Sequence, residues 1–568
     1  MKQTKQIAKW RMMLMGGALC ALPISLIWHL ANLQLIPGDD KDFRFLQSAG
    51  DARTLRSQVI PAYRGVITDR NGELLAVSTP LTSIYVNPQQ LNSEQGPALA
   101  KAMGISYSEL KKRLKNYENK QFMYLERHLP PHKAEPILAH KFKGVYSEQE
   151  YRRYYPAGEV TAHIIGFTDI EDQGQEGVEL AYNQWLAGVP GEKRLVKDLK
   201  GNVVKEVGMV RAPATGKPLQ LSIDLRLQYL AYRELKAAVA EQKARAGSLV
   251  MLDVETGEIL AMVNQPSYNP NDRTKLVPAQ LRNRALTDVF EPGSTMKPLT
   301  MMAALETGRY PFNHTINTSP GYIQVGSKTL LDPRDYGVMD LTKIITKSSQ
   351  VGITKLALEM DAETIRNMFA RAGLGQSTGL GFPGESVGVL PSRTKWRPIE
   401  HANLSFGYGL NLNAVQLAQA YNMIAAGGEF KPVSLVMQSE APYSQRVVSE
   451  RVTSQITTML KTVTQQGGTA TRAQIPAFPV AGKSGTAHKT ENGGYADDRY
   501  RGFFAGFAPA DNPKIVAVVV IDEPSNGKYY GGESAAPVFA KAVGGALQVL
   551  RVPPVNREEY LAAVELQP

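Results

Sequence analysis

The hydrophobic pattern of this chain begins with a long apolar segment near the N-terminus. Met12–Trp28 contains no charged residue, and the apolar character continues to Ile36. A membrane-spanning helix needs about 20 apolar residues. Four basic residues precede the segment, which predicts a cytoplasmic N-terminus. We therefore expect a cytoplasmic tail at 1–11, a transmembrane anchor at 12–36 and the remaining chain across the membrane. A cleaved signal peptide is the alternative, but no small-x-small cleavage site ends the segment.

After the anchor, the pattern changes twice. Residues 38–60 are polar and charged and predict a juxtamembrane stalk. From there to about residue 210, short strand-like runs alternate with amphipathic helical patches near 95–118 and 132–140. The turn-rich segment 211–218 predicts a domain boundary. We expect one module at 37–215 and a second domain at 216–568.

The second domain has a pattern of strands and helices in separate groups. Strand-like runs at 219–223, 248–254, 258–263 and 513–521 accompany helices that run from Asp224 to about 241 and over 536–550. The runs at 248–254 and 258–263 flank a Glu-Thr-Gly turn and predict a hairpin. This arrangement predicts an α+β domain in which helices sandwich a mainly antiparallel sheet.

Composition and charge narrow the functional classes. The chain has 568 residues, 43% hydrophobic and 21% charged, with a net charge of +11. No zinc spacing, RNA-binding signature or long basic tract is present, so we expect no nucleic-acid partner. Cys20 is the single cysteine, which excludes an internal disulfide. The 8 histidines form no close ligand cluster, so we expect neither a metal nor another cofactor.

Candidate chemistry begins at Ser294 and Lys297, which follow a Pro-Gly break. Residues three apart share one face of a helix, so the lysine can reach the serine. A serine hydroxyl becomes a nucleophile when a base removes its proton, and a lysine serves if its pKa is lowered. The pair alone is weak evidence for a catalytic site, because Ser-x-x-Lys arises by chance about once or twice in a chain of this length.

Two later motifs strengthen this interpretation. Ser348-Ser349-Gln350 lies 54 residues after Ser294, after an apolar helical patch. Lys483-Ser484-Gly485-Thr486 lies 135 residues further on, directly after a strand-like segment at 478–482. The three motifs in this order favour an acyl-transfer site over coincidence.

Each motif has an expected role in that chemistry. Ser294 would attack a carbonyl, Lys297 would take its proton, and Ser348 would relay a proton to the leaving amine. Burial or a nearby cation, for which Lys483 is the candidate, would lower the pKa of Lys297.

Substrate binding is expected from the same motifs. Backbone N–H groups of Ser294 and Thr486 could form an oxyanion hole. The hydroxyls of Ser484 and Thr486, with Lys483, could hold a substrate carboxylate. Tyr408 and Tyr530 are candidates to line the cleft. The histidines His163 and His488 have no visible acid partner, so we expect structural roles.

Taken together, the triplet resembles the signature of the serine acyltransferases that bind penicillin. Further segments resemble class B penicillin-binding proteins, and in particular the septal, division-type members of Gram-negative bacteria. These segments are Arg64–Gly72, Arg153–Gly158, His163–Phe167, Gly174–Glu179, Ser405–Gly409, Tyr530–Gly532 and Ala536–Phe539. The resemblance covers nearly the whole chain after the anchor. Within the N-terminal segments we expect Arg64, Asp69, Glu176 and Glu179 to make internal polar contacts.

The resemblance implies a peptidoglycan D,D-transpeptidase of the bacterial inner membrane with a periplasmic catalytic domain. Ser294 would attack the D-Ala-D-Ala bond of a stem peptide, and β-lactams would acylate the same serine. It also implies an elongated N-terminal pedestal module, a β-lactamase-like transpeptidase domain, and membrane glycosyltransferase and divisome partners. Gln350 departs from the family, which usually has Asn there to hold the substrate amide.

Three alternatives stay open at this point. Gln350 and the Leu410–Ala414 segment, which lacks the usual Thr-Pro, favour a specialised paralogue. A D,D-carboxypeptidase or β-lactamase-like hydrolase would share the triplet but hydrolyse the acyl-enzyme. A β-lactam sensor or divisome scaffold would need no catalysis, and we expect a sensor to carry a larger cytoplasmic portion than 1–11.

Overall fold

A computed structural model describes residues 9–34, 55–197, 203–440, 442–491 and 494–555. Most of the predicted tail and stalk lies outside these ranges, but the last six stalk residues, Leu55–Ile60, form a β-strand. The chain folds into two units that interleave in sequence. The first comprises the described residues within 1–63, 80–151 and 188–216, and the second comprises those within 64–79, 152–187 and 217–568. The division predicted at 215/216 stays a prediction.

Helix α1 spans Lys9–Gln34, and its 26 residues would extend about 39 Å. Its side chains from Lys9 to Leu30 are exposed, and the helix is long and apolar enough to cross a membrane. Lys9–Arg11, three residues before the predicted anchor, are already helical.

The first unit contains two small sheets. In one, β1, β6 and β7 pair antiparallel in the order β1-β6-β7. In the other, the second half of β3 pairs antiparallel with β4. This unit has its own hydrophobic core, which contains Ile84 and Leu125 from the strands and Leu99, Leu110 and Ile137 from three helices. The elements are β1 (Leu55–Ile60), β3 (Leu74–Val86), α2 (Gly96–Ala102), α3 (Tyr107–Lys115), β4 (Met123–Leu129), α4 (Pro131–Ala139), β5 (Val145–Tyr154), β6 (Gly191–Lys197) and β7 (Val203–Arg211). The first residues of β3 and the last residues of β5 belong to the second unit.

The second unit contains the large hydrophobic core. Its strands are β2 (Ile67–Thr68), β8 (Leu219–Gln220), β9 (Ala246–Asp253), β10 (Ile259–Gln265), β11 (Thr315–Asn317), β12 (Tyr322–Val325), β13 (Lys328–Leu331), β14 (Val338–Asp340), β15 (Glu429–Phe430), β16 (Gln445–Arg446), β17 (Ala481–Glu491), β18 (Gly494–Ala508) and β19 (Ile515–Asp522). Its helices are α5 (Ala162–Ile165), α6 (Gly177–Ala181), α7 (Asn183–Leu186), α8 (Leu225–Glu241), α9 (Pro278–Leu281), α10 (Arg284–Thr287), α11 (Lys297–Glu306), α12 (Leu341–Lys347), α13 (Gln350–Leu358), α14 (Ala362–Arg371), α15 (Pro398–Ser405), α16 (Ala414–Ala425), α17 (Glu450–Thr464), α18 (Gly531–Ser534) and α19 (Ala536–Val549).

A five-stranded antiparallel sheet in the order β10-β9-β19-β18-β17 forms the centre of this unit. Strand β19 is buried along its whole length, as its uninterrupted apolar run predicts. Helices α8 and α19 pack on each other and on the sheet, and α16 packs on β9 and β19. The predicted helix-covered antiparallel sheet is confirmed, including the β9–β10 hairpin and the Asp224 cap, which accepts a hydrogen bond from the Arg226 N–H.

Two predicted strands differ from the structure. The strand predicted at 219–223 is only Leu219–Gln220, and Leu221 instead makes an isolated bridge to Val436. The strand-like segment at 478–482 overlaps β17 only at Ala481–Gly482, because β17 begins at Ala481 and extends through the Lys483 motif. Pro479 has no N–H to donate, so the ladder starts only after it.

A buried ion cluster joins the N-terminal motifs of the second unit. The Glu179 carboxylate accepts hydrogen bonds from Arg64 Nε and Arg153 Nε, each at 2.6 Å. Asp69 accepts from the backbone N–H groups of Asn71, Glu73 and Leu225. The predicted internal contacts of Arg64, Asp69 and Glu179 are therefore confirmed.

The fourth residue of that prediction behaves differently. The Glu176 side chain makes no hydrogen bond to the part of the chain that the structure describes, although burial raises its pKa. Its predicted polar contact is absent from these residues.

Candidate active site

The nucleophile candidate lies in the turn that leads into α11. Gly293–Met296 form a single 3₁₀ turn, and Lys297 begins the α-helix. Ser294 is partly exposed, whereas Lys297 is only 2% exposed. Within the described ranges the Ser294 hydroxyl makes no hydrogen bond, so it is free to meet a substrate. The turn thus presents the serine and buries the lysine.

The second motif meets Lys297 directly. Lys297 Nζ donates to the Ser348 carbonyl oxygen at 2.5 Å and to Ser348 Oγ at 3.2 Å. Ser348 ends α12 in a left-handed conformation with φ 57°, which is uncommon for a residue with a Cβ. Strained backbone of this kind concentrates at functional sites. The turn aims both oxygens of Ser348 at the lysine.

Asp332, which the sequence analysis missed, holds this second motif in place. Its Oδ2 accepts a hydrogen bond from Ser349 Oγ at 2.5 Å. Its Oδ1 accepts from the backbone N–H groups of Gln350 at 2.6 Å and Val351 at 3.2 Å. Asp332 therefore caps the start of α13 from a distant segment, and no local signal in the sequence identifies it.

The third motif lies on β17, the edge strand of the central sheet. Lys483 is fully buried, and its Nζ donates to the Ser484 carbonyl at 3.1 Å. Ser484 Oγ forms a hydrogen bond with Thr469 Oγ1 at 2.9 Å, and Thr486 Oγ1 accepts from the Gly531 N–H at 3.0 Å. Because an edge strand leaves one row of backbone groups unpaired, β17 can bind an extended peptide.

Glycine allows the strand to approach the nucleophile turn. A Cβ on Gly485 would lie 3.0 Å from Thr295 Cγ2 and 3.1 Å from the Pro292 carbonyl oxygen. Only a residue without a side chain lets β17 pack this closely against the turn that carries Ser294. The first and third motifs are thereby brought together.

Burial sets the electrostatics of the two lysines. Burial lowers the pKa of Lys297 to about 7, while the Asp332 carboxylate acts in the opposite direction. Burial also lowers the pKa of Lys483 well below its ordinary value, and the charge of Lys297 lowers it further. The expected depression of the Lys297 pKa is present, and burial rather than a neighbouring cation is its main cause.

The other three predicted binding residues, Gln350, Tyr408 and Tyr530, differ in their burial and contacts. Gln350 is partly buried, and its side chain makes no hydrogen bond to the described residues. Tyr408 is partly buried, and burial followed by the nearby Glu291 raises its pKa to about 12. Tyr530 is 55% exposed and directly precedes α18, whose Gly531 contacts Thr486.

The two histidines make backbone contacts. His163 Nε2 hydrogen-bonds the Gln280 carbonyl at 2.8 Å, and burial lowers its pKa to about 4. His488 Nδ1 hydrogen-bonds the Ala496 carbonyl at 2.9 Å. These contacts agree with the structural roles expected for both residues.

Comparison with known families and structures gives matches over nearly the whole chain. Residues 247–544 match the penicillin binding protein transpeptidase domain, and residues 59–221 match the penicillin-binding protein dimerisation domain. A probable peptidoglycan D,D-transpeptidase PbpC of Pseudomonas aeruginosa is 41% identical over 93% of this chain and 94% of its own length. The peptidoglycan D,D-transpeptidase FtsI of Escherichia coli is 41% identical over 96% of this chain and 92% of its own length.

Solved structures agree with these relatives. The transpeptidase domain of Burkholderia pseudomallei penicillin-binding protein 3 is 42% identical and covers 59% of this chain and 97% of that chain, with a TM-score of 0.55. Penicillin-binding protein 3 of Mycobacterium tuberculosis, solved with aztreonam, is 28% identical over 88% of this chain and 98% of that chain, with a TM-score of 0.68.

These matches and the fold define the class of protein. The chain belongs to the penicillin-binding protein transpeptidase family, as a class B member that combines a dimerisation module with the catalytic domain. The resemblance inferred from the sequence motifs is confirmed.

Proposed function

We propose that this chain is a peptidoglycan D,D-transpeptidase that forms an acyl-enzyme at Ser294 and acts in septal cell-wall synthesis. One contact carries the proposal: Lys297, three residues after the free Ser294 hydroxyl and with its pKa lowered to about 7, donates to both oxygens of Ser348. A lysine that is partly neutral near pH 7 is suited to act as a general base.

In the acylation step, Ser294 Oγ bonds to the carbonyl carbon of the D-Ala-D-Ala peptide while its proton passes to neutral Lys297 Nζ. The carbonyl electrons move to the oxygen, to which the backbone N–H groups of Ser294 and Thr486 would donate hydrogen bonds. Such donors lower the barrier by about 3–4 kcal/mol each. The C–N bond then breaks, and a proton from Lys297, relayed through Ser348 Oγ, completes the leaving amine of D-alanine.

In the second step, the amine of a neighbouring stem peptide attacks the ester. Its nitrogen bonds to the carbonyl carbon, the bond to Ser294 Oγ breaks, and the proton lost by nitrogen returns to Oγ through Lys297. The cross-link is then complete, and the enzyme is restored. β-Lactams enter the same first step but leave a stable acyl-enzyme.

Recognition of the donor peptide is assigned to β17. Lys483 and the hydroxyls of Ser484 and Thr486 would bind the terminal carboxylate, and the free Gln350 amide would bind a substrate amide. The Thr486 oxygen accepts from Gly531, which leaves its own hydrogen available for the carboxylate. Tyr408 and Tyr530 would border the cleft.

The apolar helix α1 supports a single-pass inner-membrane location with the catalytic domain in the periplasm. Stem peptides and β-lactams are the partners that the transpeptidase domain supports. A membrane glycosyltransferase and other divisome proteins are the proposed assembly partners, because a class B transpeptidase needs another enzyme to polymerise glycan strands.

A labelling experiment tests the enzymatic proposal. Purified protein is incubated with a fluorescent penicillin, and mass spectrometry locates the label and times its release. We expect a single adduct on Ser294 that persists for many minutes and is absent from Ser294→Ala. Rapid release of hydrolysed penicillin would overturn the transpeptidase proposal in favour of a hydrolase.

A complementation experiment tests the alternative of a non-catalytic scaffold. A strain depleted of the protein receives either the wild-type chain or Ser294→Ala at equal abundance. We expect only the wild type to restore septation. Full rescue by Ser294→Ala would contradict an essential catalytic role.

A further inference from the structure

Glu291 lies three residues before Ser294 and has an incompletely satisfied carboxylate. Its Oε1 accepts hydrogen bonds from the Gly409 N–H at 2.8 Å and from the Tyr495 hydroxyl at 3.4 Å. Its Oε2 is shielded from solvent and has no hydrogen-bond partner among the residues that the structure describes. Leaving a shielded carboxylate oxygen without a donor is costly, so an incoming donor would stabilise it.

The neighbours of this carboxylate are aromatic. The rings of Tyr408 and Tyr495 have centroids 6.0 Å apart at an angle of 73°, and the Glu291 charge contributes to raising the pKa of both phenols. In the described part of the chain no basic side chain forms an ion pair with Glu291. A carboxylate between two aromatic rings is a composition that binds organic cations.

The backbone fixes this cluster beside the nucleophile turn. The Gly293 N–H donates to the Gly407 carbonyl at 3.1 Å. Gly407 has φ 84°, and a Cβ on it would lie 2.3 Å from the Gly293 carbonyl oxygen. The segment that carries Tyr408 is therefore packed directly on the residue that precedes Ser294.

We propose that Glu291, Tyr408 and Tyr495 form the subsite that binds the acceptor, a primary amine that arrives as an ammonium ion. This inference rests on the proposed function, because an acceptor exists only if Ser294 forms an acyl-enzyme. The ammonium replaces the long Tyr495 hydrogen bond and supplies donors to both carboxylate oxygens. The bound ammonium then releases one proton to solvent, and the neutral amine attacks the acyl carbon; the second proton that its nitrogen loses passes to Ser294 Oγ through Lys297 as the ester bond breaks.

The test measures how the acyl-enzyme partitions between two products. A thioester donor peptide is incubated with the full-length protein and a D-amino acid as acceptor, and the ratio of aminolysis to hydrolysis is determined. Both products arise from the same acyl-enzyme, so the ratio does not depend on the acylation rate. In Glu291→Gln the amide oxygen can still accept from the Gly409 N–H. We expect the ratio to fall by about 10-fold or more, as for a lost charge-assisted hydrogen bond.

Hydroxylamine provides the matched acceptor because it is uncharged at neutral pH. We expect its aminolysis ratio to be the same in Glu291→Gln and in the wild type. An unchanged ratio with the D-amino acid, or an equal fall with both nucleophiles, would overturn the proposal.

A second variant covers the possibility that Glu291→Gln does not fold. Tyr495 is 52% exposed, so Tyr495→Leu removes one ring without opening the core, and the same selective fall is expected. Tyr322→Leu, at a 51% exposed tyrosine on β12, is the control and should leave the ratio unchanged. If the wild type forms no acyl-enzyme with penicillin or the thioester, the proposed function fails and this inference falls with it.

Discussion

Replacing Lys297 by methionine should stabilise the fold while abolishing acylation. Lys297 is fully buried, and its pKa falls from 10.5 to about 7. Each pKa unit corresponds to 1.36 kcal/mol, so burial of this lysine costs about 5 kcal/mol at pH 7. Methionine has a similar shape and no charge to neutralise. However, the replacement removes the Lys297 ammonium that donates to the Ser348 carbonyl, and the unpaired carbonyl costs about 1–3 kcal/mol. The expected net gain is about 2–4 kcal/mol.

The pH dependence of that gain follows from the sign of the shift. Between pH 7 and about 10.5 the unfolded lysine binds a proton that the folded lysine has lost. The stability of the wild type therefore rises with pH across this window, and the advantage of Lys297→Met shrinks. Below pH 7 both states are protonated, and the advantage is at its full value.

Thermal and urea unfolding of the full-length protein in detergent, followed by tryptophan fluorescence, measures the gain. The midpoint of Lys297→Met should exceed that of the wild type at pH 7, and the difference should narrow toward pH 10. Lys541→Met removes an exposed lysine and serves as the control with no shift. Penicillin acylation of Lys297→Met should fall by about 100-fold or more, because the general base is lost. A lower midpoint at pH 7, or a difference independent of pH, would refute the burial argument.

Four further outcomes are expected. The wild-type acylation rate should rise with pH through about 7, where Lys297 loses its proton, and a rate that falls over this range would contradict the base role. Asp332→Asn should move this midpoint to lower pH, because the carboxylate that favours charged Lys297 is removed; stopped-flow penicillin binding measures the shift. Gln350→Ala should reduce the second-order rate constant of penicillin acylation by about 10-fold, which corresponds to one hydrogen bond. An unchanged rate constant would show that the Gln350 amide does not bind the substrate amide. Glu179→Gln should destabilise the fold by about 3–5 kcal/mol in urea unfolding, because the buried charges of Arg64 and Arg153 lose the carboxylate that compensates them.

The sequence predicted much of the central fold because its signals are local. The buried run of β19 and the turn between β9 and β10 follow from patterns within a few residues. Ser294, Ser348 and Lys483 could be found because each belongs to a short motif with fixed spacing. The start of β17 was misplaced, since the apolar segment before it contains Pro479, whose missing N–H delays the ladder.

Other features could not be read from local patterns because the tertiary fold creates them. Asp332 lies 16 residues before Ser348, in a polar segment after a short strand, and only chain reversal brings it to the start of α13. Glu291 stands beside the Ser294 motif, yet its role depends on Tyr408 and Tyr495, which follow more than 100 residues later. The interleaving of the two units has the same origin, because segments 64–79 and 152–187 group with the C-terminal part of the chain.

Two opposing effects set the pKa of Lys297. Burial lowers its pKa, whereas the carboxylate of Asp332, which fixes the turn at Ser348, raises it. Burial alone would give a lysine that is neutral but too weak a base to deprotonate a serine efficiently, because basicity falls with pKa. The Asp332 carboxylate restores part of that basicity through its charge while its hydrogen bonds hold the Ser348 turn that receives the lysine. Geometry and proton affinity at this centre are therefore coupled through a single side chain. Asp332→Asn removes the charge, while its one amide oxygen can still accept from the Gln350 and Val351 N–H groups.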